Sequence, residues 1–183
     1  LTRTLQWLTS NHLILNAQKT EFILISNQKR NLEAEDWIKT FTDLNCTPTL
    51  IDSAKSLGIT IDKNLNMQTH IRSMTKGARF HLGYIKKLKH FISHSDLKMA
   101  IQSIVIFRLE YSCTTLEGLP NSSLAPLRTC LNAAARVITE SKKWEHISPH
   151  LKALNSFPFE AQIHLKLACI THQALHHKSL KHL

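Results

Sequence analysis

The sequence is poor in residues that end regular structure and in residues that cross-link it. Its 183 residues include four Gly and five Pro, a low count that favours helices over a many-stranded barrel with tight turns. No apolar run approaches the ~18 residues that a membrane span needs, so we predict no membrane contact. No C-x-x-C pair occurs, and we expect reduced, mostly buried thiols in an intracellular protein at Cys46, Cys113, Cys130 and Cys169.

The sequence also lacks the common catalytic motifs. It contains no G-x-S-x-G, no P-loop and no H-E-x-x-H pattern. Asp52 and Asp62 flank a strand-like segment but form no adjacent pair, whereas two-metal phosphoryl transfer requires clustered carboxylates. The residues alone therefore give weak support to an enzyme.

A cysteine and two histidines share one predicted helix face. Cys169, His172 and His176 stand at i, i+3 and i+7, but a structural zinc site needs four ligands and no fourth stands at a familiar spacing. We favour a small buried thiol at Cys169 beside solvated histidines, and we predict neither a metal site nor a resident cofactor in this chain.

Basic residues outnumber acidic ones, 23 to 13, and the excess lies in one part of the chain. Residues 1–50 hold five of each sign, whereas residues 51–183 hold eighteen basic and eight acidic residues. Such asymmetry indicates a polyanionic partner for the second part, most simply nucleic acid, although a generally basic protein is the alternative.

Hydrophobic periodicity predicts an α+β fold that is predominantly helical. A strand is predicted at 21–26, and the alternation of Leu57, Ile59 and Ile61 predicts a second, with Gly58 at a bulge or at a close approach of another backbone. A loop or short helix is expected at 31–42. From 67 to 92 apolar residues recur every three or four positions, and further helices are predicted from Ser95, from Ser123, at 147–154 and at 159–176.

The long helix at 67–92 carries basic residues opposite its apolar stripe. From residue 72 to residue 98 the sequence has seven basic residues and one acid, Asp96. A solvated helix face normally mixes signs, since like charges at i,i+4 cost stability. We favour phosphate binding over an ordinary surface for the residues of this basic face, which are Arg72, Lys76, Arg79, Lys86 and Lys87.

Three aromatic residues, Phe80, Tyr84 and Phe91, form an edge beside the basic face. Aromatic side chains stack on unpaired bases, and they also pack between helices. Packing against the next helix is the interpretation that we favour.

Several phrases, in order along nearly the whole chain, resemble the reverse transcriptases of non-LTR retrotransposons (LINEs), the jockey-like and related groups. They are WLTSNHLILNAQKTE at 7–21, SLGITID at 56–62, HI at 70–71 with Lys76, RLEYSC at 108–113, GLP at 118–120, NAAAR at 132–136 and HISP at 146–149. No single phrase is decisive, but the ordered set is specific. Glu110 and Ser112 depart from the residues that the family more often has there.

The resemblance implies roles for particular residues. Lys19 matches the lysine proposed as general acid for the pyrophosphate leaving group; the alternative is a surface lysine before a strand. Leu57, Gly58 and Ile59 match the primer grip, where glycine permits close approach of the primer. The basic face of the first thumb helix would then lie along the template–primer duplex.

The resemblance also implies an organisation. Residues 1–62 would be the C-terminal remnant of a palm, 63–120 a thumb and 121–183 a helical extension. The family's Asp-Asp turn would precede Trp7, so we expect a piece of a longer polypeptide whose palm and fingers lie upstream, with Mg²⁺ bound only by the full-length polymerase. We predict that the chain is part of a nuclear or cytoplasmic RNA-directed DNA polymerase and is inactive alone. The alternatives are a non-catalytic nucleic-acid-binding or protein-interaction module derived from a retroelement, and a non-functional fragment.

Overall fold

The described residues are mostly helical and include two small sheets, which confirms the predicted α+β fold dominated by helices. The computed structural model describes residues 2–16, 19–25 and 49–177. The chain separates into two units, unit 1 at 1–67 and unit 2 at 68–183. In the described part of the chain, no helix is both long and apolar enough to cross a membrane.

Unit 1 begins with α1 (Thr2–Ser10), whose last turn is closed by side chains: Ser10 Oγ and Asn11 Nδ2 donate to the Trp7 carbonyl at 2.9 and 2.8 Å. Strand β1 (Glu21–Phe22) pairs in parallel with β2 (Thr49–Leu50). The strand predicted at 21–26 is thus regular over two residues, and 23–25 are irregular. The segment at 31–42 lies outside the described residues.

A hairpin follows, formed by β3 (Ser53–Ser56) and β4 (Ile59–Asp62). Ser56 pairs with Ile59, so Leu57 and Gly58 form a two-residue turn with φ of 47° and 84°. Positive φ at both positions is the type I′ geometry that matches strand twist. The prediction of Leu57 inside a strand is therefore wrong, and Gly58 occupies a turn rather than a bulge.

The two aspartates that flank this hairpin both have structural roles. Asp52 Oδ1 accepts from Lys63 Nζ at 2.8 Å, and the Asp52 carbonyl accepts from the Lys63 amide at 3.0 Å. The Asp62 carboxylate accepts three backbone amides, those of Asn64, Asn66 and Met67, at 3.1, 3.2 and 2.7 Å. Both carboxylates hold the chain where it leaves the hairpin.

Unit 2 is helical throughout its described residues, as the change to a 3.6-residue period predicts. Its elements are α2 (Gln68–Leu88), α3 (His94–Ala100), the π-helical turn π1 (Ile101–Ile106), α4 (Phe107–Glu110), a 3₁₀ turn (Cys113–Leu116), α5 (Asn121–Thr139), α6 (Ile147–Ala153) and α7 (Phe159–His177).

The N-cap of α3 is Ser93, not the predicted Ser95. Ser93 Oγ accepts from the Asp96 amide at 3.1 Å and donates to Asp96 Oδ2 at 2.7 Å. This reciprocal arrangement satisfies an otherwise unpaired N–H group of the first turn. The Asp96 carboxylate is therefore bound to the Ser93 hydroxyl at the start of its own helix.

The core of unit 2 is the contact of α2 with α5 and π1. The apolar stripe of α2 is buried, as its periodicity predicts. Fully burying one Val, Leu or Ile side chain stabilises the folded state by about 1.5–3 kcal/mol. Side chains of these three elements that are almost fully buried include Ile71, Ala78, Leu82, Ile101, Val105, Leu127, Leu131 and Ile138.

The buried face of α2 also contains His70, which is 4% exposed. Burial lowers the pKa of its imidazole below the ordinary 6.5. The unfolded chain therefore binds this proton at a higher pH than the folded chain does. Below about pH 6.5, protonation of His70 in the unfolded chain therefore lowers the free energy of unfolding, and above that pH it has no such effect.

We predict that His70→Gln makes unfolding less dependent on pH between 7.5 and 5.5. Chemical denaturation at several pH values measures this as a smaller loss of unfolding free energy on acidification than in the unmodified protein. His94→Gln, at an exposed histidine of α3, is the matched control. Equal pH dependence in the protein and the His70 variant would contradict the prediction.

Candidate nucleic-acid interface

The five basic residues predicted as a binding face are all exposed on α2. Arg72, Arg79 and Lys86 recur every seven residues, so they form one row along the helix, with about 10.5 Å between successive members. Lys76 and Lys87 lie beside this row, on the side away from the buried stripe. The structure thus brings all five onto one surface of unit 2.

Helix electrostatics explain part of this pattern and leave part unexplained. Lys86 and Lys87 stand in the last turn of α2, where cations are stabilised by the helix dipole. Arg72 and Lys76 lie in the first half of the helix, and its first turn contains no acid. Their mutual i,i+4 repulsion costs stability. The N-terminal cations therefore have no stabilising role within α2.

The acids of unit 2 are all engaged away from this face. The sequence from 68 to 183 contains six acidic residues, and Asp96 is held in its cap. The other five lie near cations that are not members of the basic face: Glu110 near Lys166 (3.0 Å), Glu117 near His164 (3.5 Å), Glu140 near Lys89 (3.6 Å), Glu145 near His150 (3.2 Å) and Glu160 near Arg128 (2.9 Å). The positive charge of the basic face is not neutralised by unit 2.

The aromatic edge is exposed, and our preferred interpretation of it as interhelical packing is wrong. Phe80, Tyr84 and Phe91 are 60%, 56% and 85% exposed. The rings of Phe80 and Tyr84 contact each other with centroids 4.9 Å apart, and Lys87 Nζ lies 5.6 Å from the Tyr84 centroid. Exposed aromatic rings beside cations are the combination that single-stranded nucleic acid binds.

One cation of this surface, Arg108, was not among the predicted site residues. Its guanidinium lies against Gly77, where an added Cβ would stand 2.9 Å from Arg108 Nε. Arg108 Nη1 also lies 3.3 Å from His81 Nε2. Because α4 follows π1 and packs on α2, Arg108 borders the α2 surface beyond the aromatic edge. The sequence contains one signal for this contact: Gly77, a poor helix former, stands within the predicted long helix, where the lack of a side chain leaves room for a close neighbour.

The remaining predicted site residues belong to unit 1. Lys19 is exposed, and its amide donates to the carbonyl and Oδ1 of Asn16 at 3.1 and 3.2 Å, just before β1. Leu57 and Gly58 form the hairpin turn, and Ile59 opens β4. Lys19 and the turn thus adjoin two separate sheets.

The described residues do not offer a carboxylate cluster for Mg²⁺. Asp52 and Asp62 are committed to Lys63 and to three backbone amides, and no group of three His, Cys, Asp or Glu side chains among the described residues is arranged to hold a metal. Cys169, His172 and His176 are exposed on α7, with the two imidazole centroids 4.3 Å apart.

The cysteines differ in environment. Cys113 and Cys130 are buried, as predicted, and burial raises the pKa of both thiols. Little thiolate then forms at neutral pH, which makes these two thiols unreactive. Cys169 is exposed, so the prediction of burial is wrong there. Cys46 lies outside the described residues.

Comparisons with protein-family models, with curated proteins and with solved structures found no match to this chain. The interface is therefore defined by its own geometry, and the resemblance to LINE reverse transcriptases stays a prediction.

We predict that Lys76→Glu stabilises unit 2 at low salt by about 0.5–1 kcal/mol, because it turns repulsion with Arg72 and Arg79 into attraction. Thermal unfolding at low ionic strength measures the gain, which should shrink near 1 M salt, where the screening length is ~3 Å. Lys152→Glu, an equal charge change on α6, is the control. Equal effects of the two substitutions would show that Arg72 and Arg79 do not repel Lys76.

Proposed function

We propose that this chain binds the phosphates of a nucleic-acid duplex along the exposed face of α2. The observation that carries the proposal is the uniform sign of that face: five exposed cations, with every acid of unit 2 engaged elsewhere. A phosphate backbone supplies the missing negative charge and releases its counterions on binding.

The dimensions of the basic face fit a duplex. Arg72 and Lys86 are fourteen residues apart, which is about 21 Å along the axis of α2. Each strand of B-DNA advances about 3.4 Å per phosphate, so this span covers roughly six phosphates. The helix can therefore contact several phosphates at once, which favours a backbone contact over recognition of a single base.

The ordered resemblance to LINE reverse transcriptases suggests which duplex this is. In that setting α2 is the first helix of a thumb, and the Leu57–Gly58 turn is the primer grip of an RNA-directed DNA polymerase. Lys19 is then the general acid toward pyrophosphate. The chain's share of the work is to hold a template–primer duplex. The metal-binding aspartates would be supplied by the palm, which lies with the fingers upstream in the same polypeptide. A protein with this role would act in the nucleus or the cytoplasm.

We predict that Lys76→Ala and Arg79→Ala each reduce the slope of log affinity against log salt by about one ion, since each residue neutralises one phosphate. Fluorescence anisotropy with an RNA–DNA hybrid duplex, titrated with salt, measures the slope. Both variants should weaken binding to different sequences equally, because phosphate contacts carry no base information.

Lys152→Ala is the matched control for this titration, because Lys152 is an exposed lysine on α6 outside the basic face. It should leave the slope unchanged. If all three variants alter the slope equally, the binding is diffuse and the α2 face has no particular role.

We predict that the isolated chain does not extend a primer on an RNA template with Mg²⁺. Transfer of a nucleotidyl group requires carboxylates that hold the metal ions, and Asp52 and Asp62 are committed to the hairpin. A primer-extension assay with a complete reverse transcriptase as positive control tests this. Template-dependent extension by the chain alone would overturn it.

The rival proposal is a protein-interaction module, and α7 is the observation that favours it. Leu167 and Ile170 stand three residues apart on this helix, and both are exposed. Neighbouring exposed apolar side chains can contribute to a contiguous patch, which is typical of a surface that docks a partner. Absence of duplex binding at low salt would favour this proposal over the one based on α2.

A further inference from the structure

A cavity of about 560 Å³ lies in unit 2 between the last turns of α2 and α5, and we call it the α2–α5 pocket. Its volume falls in the range of about 300–1,000 Å³ that small-molecule sites occupy. Its walls combine two kinds of surface. Ala133 and Val137 of α5 give it an apolar floor, and basic side chains stand around that floor.

The pocket is cationic. Lys86, Lys89, Arg136 and Lys143 line it, together with one acid, Glu140, which lies 3.6 Å from Lys89. Lys86 and Lys143 make no ion pair with the described residues. Arg136 Nη2 donates to the Glu145 carbonyl at 3.1 Å, and its buried Nε has no acceptor among the described residues. Three positive charges thus remain without a carboxylate.

An apolar floor beneath uncompensated cations fits a ligand with a flat apolar body and an anionic end. A nucleotide has that composition: its base has an apolar face, and its phosphate is a strong acceptor for lysine and arginine. Thr129 and Ser141 add hydroxyl groups to the lining, and these can donate to or accept from base and sugar atoms.

The pocket is continuous with the basic face, and this continuity identifies the source of the nucleotide. Lys86 lines the pocket and is also the last member of the row that contains Arg72 and Arg79. A strand whose phosphates follow that row arrives at the pocket entrance. The occupant is then the unpaired nucleotide at the end of a bound strand rather than a free metabolite.

We propose that the α2–α5 pocket binds one unpaired nucleotide that extends from a duplex held on α2, with the base on Ala133 and Val137 and the phosphate between Lys86 and Lys143. This inference rests on the proposed function, because the duplex delivers the nucleotide. The pocket gives the chain a second contact with the nucleic acid. This contact favours a duplex that has an unpaired nucleotide at its end over a blunt duplex.

The test compares a blunt RNA–DNA duplex with the same duplex carrying a one-nucleotide overhang, by fluorescence anisotropy. We expect the overhang to tighten binding by roughly fivefold, which is the fold-change that corresponds to about 1 kcal/mol, the upper end of what an exposed ion pair contributes. Lys143→Glu and Ala133→Leu should remove this increment, the first by charge reversal and the second by filling the floor. With the blunt duplex, which leaves the pocket empty, both variants should retain the slope of the salt titration that depends on Lys76 and Arg79.

Lys142→Glu is the matched control for Lys143→Glu. It makes the same charge change one residue away, at a lysine that lies over the Trp144 ring at 5.6 Å and does not line the pocket. It should preserve the overhang increment. An increment that survives in Lys143→Glu, or is lost equally in Lys142→Glu, overturns the pocket proposal.

The failures of the two proposals are distinguishable. Blunt-duplex binding without an overhang increment overturns the pocket and leaves the α2 interface standing. Calorimetry with adenosine monophosphate and with inorganic phosphate provides a second measurement, independent of any variant's folding. Adenosine monophosphate should bind more tightly than inorganic phosphate, and equal affinities would contradict a base-binding floor. Binding of adenosine monophosphate without duplex binding would overturn both proposals, because the pocket would then be a site for a free nucleotide.

Discussion

The packing of α2 on α5 and π1 decides which side chains of unit 2 meet solvent. Ile71, Ala78 and Leu82 are almost fully buried at this contact, and rotating α2 about its axis would expose them. Because the rotation is fixed by this apolar contact, the row of Arg72, Arg79 and Lys86 is fixed as well. The backbone positions of the basic face are therefore set by the fold, so that a ligand has to order the side chains of these cations but not the segment that carries them.

The electrostatic arrangement of unit 2 separates two populations of cations. Those near acids, such as Lys89, Arg128 and Lys166, connect neighbouring elements in space. Exposed ion pairs of this kind contribute little individually, about 0–1 kcal/mol each. Their larger consequence is that they occupy the acids. The cations of the α2 face are not paired with an acid among the described residues, and a phosphate is attracted to a surface of such uniform charge.

Local periodicity was sufficient to predict most helices of unit 2, because each buries a stripe with a 3.6-residue repeat. Periodicity gave a wrong prediction where turn geometry or tertiary placement decides the position of a single residue. Leu57 continues an alternating pattern, yet its neighbour Gly58 enables a tight turn, and the chain reverses there. Phe80 and Tyr84 have the composition of a packing edge, but none of the described elements covers them. Their exposure depends on tertiary placement, which a helical projection does not contain.

The candidate site, too, could be predicted only in part from the sequence. The basic face could be predicted because its five members lie on one helix, and spacing alone aligns them. Arg108 and the α2–α5 pocket could not, since Arg108 reaches Gly77 across 31 positions and Lys143 joins Lys86 across 57 positions. Such contacts arise from how helices pack. A sequence read one segment at a time provides the cations but not the concave surface between them.

The π-helical turn between α3 and α4 has a consequence for how this chain tolerates insertion and deletion. The Phe107 amide donates to the Gln102 carbonyl, five residues back, so π1 accommodates one residue more than an α-helical turn would. Deleting one residue there would restore a regular α-helix without breaking the chain's hydrogen bonding. The residues after π1 would keep their places, with Arg108 against Gly77 and Leu109 in the core, because the turn already contains the extra residue. The same deletion in the middle of α2 would instead rotate every later residue of that helix by about 100°. A frame-preserving loss of one codon is thus tolerated in π1, whereas the same loss in α2 would take its basic face out of register.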